Sequence, residues 1–131
     1  MKQSPLLHFE STAFATRPGE DERTNPKLYG EALARWLAEQ LRGRDLDAGE
    51  VFAEDFGWCV PVAVGPKGVH VVCANEDERT DRWQVYCFVE RGFMAALLRR
   101  SDDTDALMTV FTVVRDCLSN APDVRGLTED V

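Results

Sequence analysis

The sequence lacks a long hydrophobic run. No stretch of its 131 residues approaches the roughly eighteen apolar residues that a membrane-spanning helix needs. Before His8 the only apolar run is Leu6-Leu7, which is too short for the apolar segment of a signal peptide. We therefore expect a cytoplasmic protein that does not bind membranes.

Metal-ligand spacings and phosphate-binding motifs are also missing. The chain has 2 histidines and 4 cysteines, but no CxxC, HxxxH or HExxH spacing, and neither GxGxxG nor GxxxxGK[ST] occurs. We expect no metal, no cofactor and none of the usual nucleotide sites. Isolated cysteines in apolar segments are typical of buried thiols in a reducing compartment; the four are Cys59, Cys73, Cys87 and Cys117.

The chain has no excess of basic residues. Its net charge is −8, from 23 acidic and 15 basic residues, and such a field repels phosphate backbones and anionic lipids. We therefore expect no nucleic-acid partner and regard a basic protein as the natural complement, although acidity also serves solubility alone. Two acidic clusters are either solvated loops or surfaces that steer a basic partner; they are Glu20–Glu22 and the run Glu76, Asp77 and Glu78.

Length and composition predict one globular domain. With 44% hydrophobic and 29% charged residues, the chain has an ordinary globular composition and can bury a core without disulfides or metal. We assign residues 1–131 to a single domain with its core at about 6–120. The polar residues 121–131 are expected to form a mobile tail.

Apolar residues at three- and four-residue steps predict two helices. The first is expected to start at Asn25–Pro26, where Asn caps and Pro fits the first turn, and to end at Gly43 as a left-handed cap. The second follows the cap-forming segment Ser101–Asp105 and stops near Asn120.

Alternation predicts the strands. The expected strands are Leu6–Thr16, Val51–Val64 as one strand or two joined at a bend, Val69–Ala74 after the turn Gly65–Gly68, and Arg82–Glu90. Gly57 favours a bulge or a close backbone approach, and Pro61 favours a sheet edge or a missing donor turned to solvent. The conformation of 93–100 stays open.

These elements predict an α+β fold with a two-layer sandwich architecture. Its antiparallel sheet has four to five strands, and two helices lie on one face, in the order β-α-β-β-β(-β)-α.

The segment Glu54–Trp58 is the one polar anomaly in an apolar region. Carboxylates beside aromatic rings can acquire a raised pKa, as general acids do. Adjacent strand residues point to opposite faces, however, so Glu54 and Asp55 are not expected to act as a catalytic pair. We favour a structural role, with Asp55 buried and held by hydrogen bonds, and assign no catalytic residue.

Aromatic residues mark both faces of the later strands. Trp83 lies on one face of its strand, and Tyr86 and Phe88 lie on the other. We therefore expect neither face to be fully exposed to solvent. His70 lies near Cys59 and Cys73, but opposite parity separates it from Cys73, and a Cys59 pair requires the right hairpin register. The candidate binding residues are Glu54, Asp55, Trp58, His70, Trp83, Tyr86, Phe88, Glu76, Asp77 and Glu78.

The spacing Tyr29-Gly30-Glu31, Leu33, Trp36-Leu37, Leu41, followed by Glu54-Asp55-Phe56-Gly57-Trp58, resembles a family of small uncharacterised bacterial α+β domains. That family shares a Gly-x-x-Leu helix and a Glu-Asp-aromatic-Gly-Trp strand. The resemblance covers residues 9–90 and implies a bacterial cytosolic source, a compact fold and a close backbone approach at Gly30. It implies no activity and transfers no catalytic residue.

Two hypotheses of function follow. The first is a non-enzymatic, acidic, cytosolic domain that docks a protein partner, with a toxin-neutralising immunity protein as its most concrete version. The alternative is a small-molecule-binding protein or a hydrolase-like enzyme with a pocket between sheet and helices, formed by Asp55 or Glu54 with Trp58 and His70. A homodimer joined through the open sheet face or an edge strand is compatible with either.

Overall fold

The structure is a computed structural model that describes residues 2–90 and 100–130. The segment 93–100, whose conformation the sequence leaves open, lies outside these ranges except for Arg100. In chain order the elements are β1 (Leu6–Glu10), a 3-10 turn (Glu20–Glu22), α1 (Glu31–Gly43), β2 (Asp47–Ala48), β3 (Phe52–Glu54), β4 (Gly57–Val64), β5 (Lys67–Asn75), β6 (Arg82–Glu90), α2 (Arg100–Asn120) and β7 (Arg125–Asp130).

The strands form one antiparallel sheet in the order β2-β4-β5-β6-β1-β7, with β3 also pairing with β4. The predicted α+β class and antiparallel sheet are therefore confirmed. The described residues contribute seven strands, more than the four to five expected. Strands β3 and β4 correspond to the expected alternative of two strands joined at a bend within Val51–Val64. The two strands that were not expected are β2, a two-residue segment at one edge, and β7, which lies where we expected a mobile tail.

Strand β7 is formed by backbone pairing rather than by burial. It pairs with β1, where Leu6 lies opposite Asp130 and His8 opposite Thr128. Most of its side chains are exposed, so its sequence carries no strand pattern. Leu127 packs against the core, and Arg115 of α2 lies 3.0 Å from the Glu129 carboxylate. The periodicity of the sequence does not reveal these contacts, because they join residues that are distant along the chain.

The helices and one side of the strands share a single hydrophobic core. Alternate residues of β4, β5 and β6 point into it, for example Val60, Val71 and Val85, which are fully buried. Both helices contribute, and they also contact each other. The two-layer arrangement follows, with the opposite side of the sheet, here called the open face, free of both described helices.

Helix α1 begins five residues later than expected, at Glu31 rather than Pro26. Lys27 has a positive φ of 63°, which ends any helix before it. The expected left-handed cap at Gly43 is also not found, because Gly43 is the last helical residue of α1. The residue with a left-handed backbone after the helix is Asp45, which has a φ of 66°. Asp tolerates this region better than most residues.

Pro61 explains why the edge beside β4 is broken. Its carbonyl accepts a hydrogen bond from the Gly49 amide at 2.8 Å, and the N and C=O of one strand residue point to the same side. The missing donor therefore faces the interval between β2 and β3. The expected sheet edge is therefore found only locally, because β4 pairs on this side with β2 and β3 but not at Pro61 itself.

Candidate functional site

The open face carries a cluster of aromatic rings. We call this cluster the aromatic patch and define it as Phe52, Phe56, His70, Tyr86 and Phe88. Strand register places them together: Phe52 pairs with Cys59, Cys59 with Val72 and Val72 with Tyr86, forming one row across β3, β4, β5 and β6. His70 lies opposite Phe88 in a neighbouring row.

Four rings of the patch, those of Phe52, Phe56, His70 and Phe88, contact one another edge to face. The His70 ring centroid lies 4.9 Å from that of Phe88 and 5.5 Å from that of Phe52, and Phe56 lies 6.2 Å from Phe88. These separations are within the range of favourable aromatic pairs. These four rings thus form one continuous series of contacts between β3, the β3–β4 turn, β5 and β6.

Phe56 enters the patch from a tight turn. Asp55 and Phe56 form the turn between β3 and β4, closed by the pair Glu54 and Gly57. Gly57 has φ 150°, and a Cβ there would lie 2.8 Å from the Cys73 carbonyl oxygen. This confirms the predicted close approach at Gly57. Phe56 is 43% exposed, so it is the most accessible ring of the patch.

The patch covers buried residues of the open face. Val72 and Cys59 are fully buried although no described helix lies above them. Burial, followed by the charge of Glu54, raises the pKa of the Cys59 thiol to about 12. Burial also raises the pKa of Tyr86. Cys59 and Val72 are therefore out of contact with water, in the row that Phe52 and Tyr86 flank.

Asp55 does not have the buried role that its parity suggested. Both Asp55 and Glu54 are exposed, because the segment turns at Asp55-Phe56 and does not continue as a strand. Only the Asp55 backbone is engaged, through its carbonyl, which accepts from the Asn25 amide at 3.3 Å. The two carboxylates instead lie at the border of the aromatic patch.

Trp58 and Trp83 lie on the helix side of the sheet, away from the patch. Each is 1% exposed. The Trp83 indole donates to the Ser11 carbonyl at 3.1 Å, and the Arg23 guanidinium lies 5.1 Å from the Trp58 ring centroid. Of the predicted aromatic residues, only His70, Tyr86 and Phe88 are therefore brought together.

The acidic loop after β5 is partly ordered by pairing. Glu76 Oε1 lies 2.5 Å from His8 Nδ1, and His8 Nε2 lies 3.8 Å from Asp130 Oδ2. Asp77 and Glu78 have positive φ values of 54° and 59° and form the exposed turn. Glu76 thus links the loop after β5 to β1, while Asp77 and Glu78 are exposed.

The other acidic cluster contains a helix cap. Glu20 is 5% exposed, and its Oε2 accepts from the amides of Gly30 at 2.8 Å and Glu31 at 3.0 Å. Its Oε1 accepts from the Arg17 amide at 3.1 Å. Glu20 therefore satisfies the free amides at the start of α1, a role that its position ten residues upstream conceals.

The strand register does not place His70 directly opposite Cys59. His70 lies opposite Pro61, whereas Cys59 lies opposite Val72. All four cysteines are free and buried, as predicted. Burial raises the pKa of Cys73 well above its ordinary range and that of Cys87 to about 12, and thiols of such high pKa are poor nucleophiles. Within residues 2–90 and 100–130, no three potential ligands converge on a metal position.

Among the surface concavities beside the described elements are the following three. One, of about 410 Å³, lies beside Arg35, Arg42 and Glu50; a second, of about 340 Å³, lies beside Phe14 and Trp36. The third, of about 290 Å³, borders the aromatic patch at Pro61 and His70. None of the three is lined by Glu54, Asp55 or Trp58, the residues that the enzyme alternative requires.

The candidate binding residues predicted from the sequence do not include Phe52, Phe56 or His8. Phe52 lies in a strand of three residues, too short to show alternation. Phe56 reaches the patch only because of the turn. Alternation along β1 indicates that His8 lies on the same face of the strand as Glu10. It does not reveal the contact of His8 with Glu76, which is 68 residues away in the sequence.

No protein family, curated protein or solved structure matches this chain. The resemblance to a family of small bacterial domains stays a prediction. Among the described helices, none combines the length and apolar character needed to cross a bilayer.

Proposed function

We propose that this protein is a non-enzymatic domain that docks a protein partner through the aromatic patch of its open face. The observation that carries the proposal is the exposed ring of Phe56 in a continuous series of ring contacts. Aromatic residues are enriched at the centres of protein interfaces, and exposed apolar clusters mark interaction sites.

Charge favours a basic partner. Glu54 and Asp55 flank Phe56 in sequence and are exposed, and in the described part of the chain neither forms an ion pair. Lysine or arginine side chains can bind both carboxylates and ring faces. The net charge of −8 would accelerate association with such a partner. In its most concrete version, the protein is an immunity protein that neutralises a basic toxin.

The test compares two exposed apolar residues on opposite sides of the molecule. Phe56 is 43% exposed on the open face, and Met108 is 39% exposed on α2. We expect the wild-type chain and Met108→Ser to capture the same protein from source cells, whereas Phe56→Ser weakens capture by about tenfold. Binding should weaken with added salt if the partner is basic.

Equal capture by all three proteins, or none that is specific at any salt concentration, would contradict the proposal. Light scattering gives the remaining control, because a dimer that dissociates in Phe56→Ser would assign the patch to a second copy. The immunity version further requires that the captured partner stop growth when expressed alone. Co-expression of the wild-type chain, but not of Phe56→Ser, should then restore growth.

A small-molecule or hydrolase-like function at Glu54, Asp55 and Trp58 has less support. Its carboxylates lie at an exposed turn, and Trp58 is buried in the core. A site of this kind needs these groups to converge on one pocket.

A further inference from the structure

The concavity beside Phe14 and Trp36 is a second candidate site, on the helix side of the sheet. Its volume is about 340 Å³, at the lower end of the range for ligand pockets. Phe14, Ala32 and Trp36 form one side, and Ala121, Pro122 and Val124 form the other. The cavity therefore lies where the loop after β1, helix α1 and the α2–β7 connection meet.

The aromatic side of the cavity, formed by Phe14 and Trp36, is stabilised by contacts with the core. The Phe14 and Trp36 ring centroids are 5.6 Å apart at an interplanar angle of 56°. Phe14 also meets Trp83 edge-on at 6.2 Å, and Trp83 is fixed by its hydrogen bond to Ser11. Ordering this wall requires little further loss of side-chain freedom, which favours binding.

The lining contains three short side chains. They are Ala32, on the same wall as Trp36, Ala121, on the facing wall, and Ala13, which is exposed and lies at the margin. An apolar group that enters would displace water from apolar walls, and such displacement favours association. The volume suits a ligand with one ring rather than a nucleotide or a folded peptide.

The charge of the lining defines the polar end of the ligand. No lysine or arginine lines the cavity, and the one ionisable lining group is the exposed carboxylate of Asp123. Among the described residues Asp123 has no ion-pair partner. A carboxylate beside ring faces favours a cation, and an anionic ligand would meet only repulsion.

From these observations we propose that the Phe14–Trp36 cavity binds a small molecule that carries a protonated amine on a single aromatic or branched aliphatic group. The apolar group lies against Phe14 and Trp36, and the ammonium lies beside Asp123. The proposal is independent of docking at the aromatic patch, because the two sites lie on opposite sides of the sheet.

The test uses 2-phenylethylamine as the probe and intrinsic tryptophan fluorescence, the summed emission of Trp36, Trp58 and Trp83, as the readout. Phenylacetate and 2-phenylethanol supply the anionic and neutral controls with the same ring. We expect the amine to bind at least about tenfold more tightly than phenylacetate, a difference of about 1.4 kcal/mol. Asp123→Asn should remove most of this preference, whereas Asp105→Asn, at another exposed carboxylate, should retain it.

A plug at the margin tests the location. Ala13→Phe changes an exposed residue, so the fold should persist, and circular dichroism checks this. The variant should abolish the fluorescence response, while Phe56→Ser should leave it unchanged. No response to the amine, equal binding of amine and carboxylate, or binding that survives the plug would each overturn the proposal.

Discussion

At the scale of single residues, two glycines converge on one carbonyl oxygen. A Cβ at Gly30 would lie 2.5 Å from the Cys73 oxygen, and one at Gly57 would lie 2.8 Å from it. These contacts bring the start of α1 and the β3–β4 turn against the same point of β5. The positions of α1 and of Phe56 therefore require glycine, which has no Cβ, at residues 30 and 57.

Replacing Gly30 by alanine should destabilise the protein. Gly30 has φ 154°, and its neighbour is backbone that cannot rotate away, so we expect Gly30→Ala to lower the free energy of unfolding by about 2 kcal/mol or more. Gly43→Ala is the matched control, because nothing lies within 4 Å of its Cβ position. It should be neutral or stabilising by up to about 1 kcal/mol. Urea unfolding measures both, and equal stabilities would contradict the close approach.

The buried carboxylate of Glu20 should contribute to stability through the helix amides. Glu20→Gln replaces a charged acceptor with an amide whose NH₂ group cannot accept, so we expect a loss of about 1–3 kcal/mol. Glu22→Gln removes an exposed carboxylate of the same turn and should change stability by less than about 0.5 kcal/mol. Thermal unfolding followed by circular dichroism compares them. A similar effect of both changes would show that charge, not capping, matters.

At the scale of elements, a buried ion pair joins α2 to the sheet. Lys67 at the start of β5 and Asp103 in the first turns of α2 are 5% and 4% exposed, with Nζ and Oδ1 2.7 Å apart. Both charges are removed from water, so the pair is costly to break even if it adds little net stability. It ties the end of the β4–β5 hairpin to the start of α2.

Removing one member of this pair should be severe. We expect Lys67→Met to lower the free energy of unfolding by about 3–5 kcal/mol because it removes the ammonium group that lies 2.7 Å from a buried carboxylate. The double variant Lys67→Met/Asp103→Leu should recover most of the loss. Arg79→Met breaks an exposed pair with Asp81 and should cost less than about 1 kcal/mol. Urea denaturation measures all three, and a mild effect of Lys67→Met would refute the burial of the pair.

At the scale of the whole molecule, the two faces of the sheet are buried in different ways. The helices cover one face, and the aromatic patch covers part of the other. Cysteines occur under both coverings: Cys73 and Cys87 on the helix side and Cys59 on the open face. Their ionisation therefore reports on the integrity of both layers.

Alkaline pH should destabilise the protein through these thiols. The pKa values of Cys59 and Cys87 rise from 9.0 to about 12 on folding, so the folded chain keeps protons that the unfolded chain loses. Between about pH 9 and 12, stability should fall as pH rises, with a slope of about 1.4 kcal/mol per pH unit for each thiol. Urea unfolding across this range, under reducing conditions, should show a shallower slope for Cys87→Ala than for wild type. An identical slope would contradict the shift.

The α+β class, the apolar stripe of α1, the main strands β4, β5 and β6 and the buried thiols could be predicted from the sequence, because periodicity and side-chain size act locally. The behaviour of the polar segments could not be predicted, because it depends on how the chain folds in three dimensions. Glu20 caps a helix ten residues away, β7 pairs with β1, and a turn moves Asp55 to the surface and Phe56 onto Phe88. These outcomes depend on backbone hydrogen bonds and contacts between distant residues, which leave no periodic signal in a single sequence.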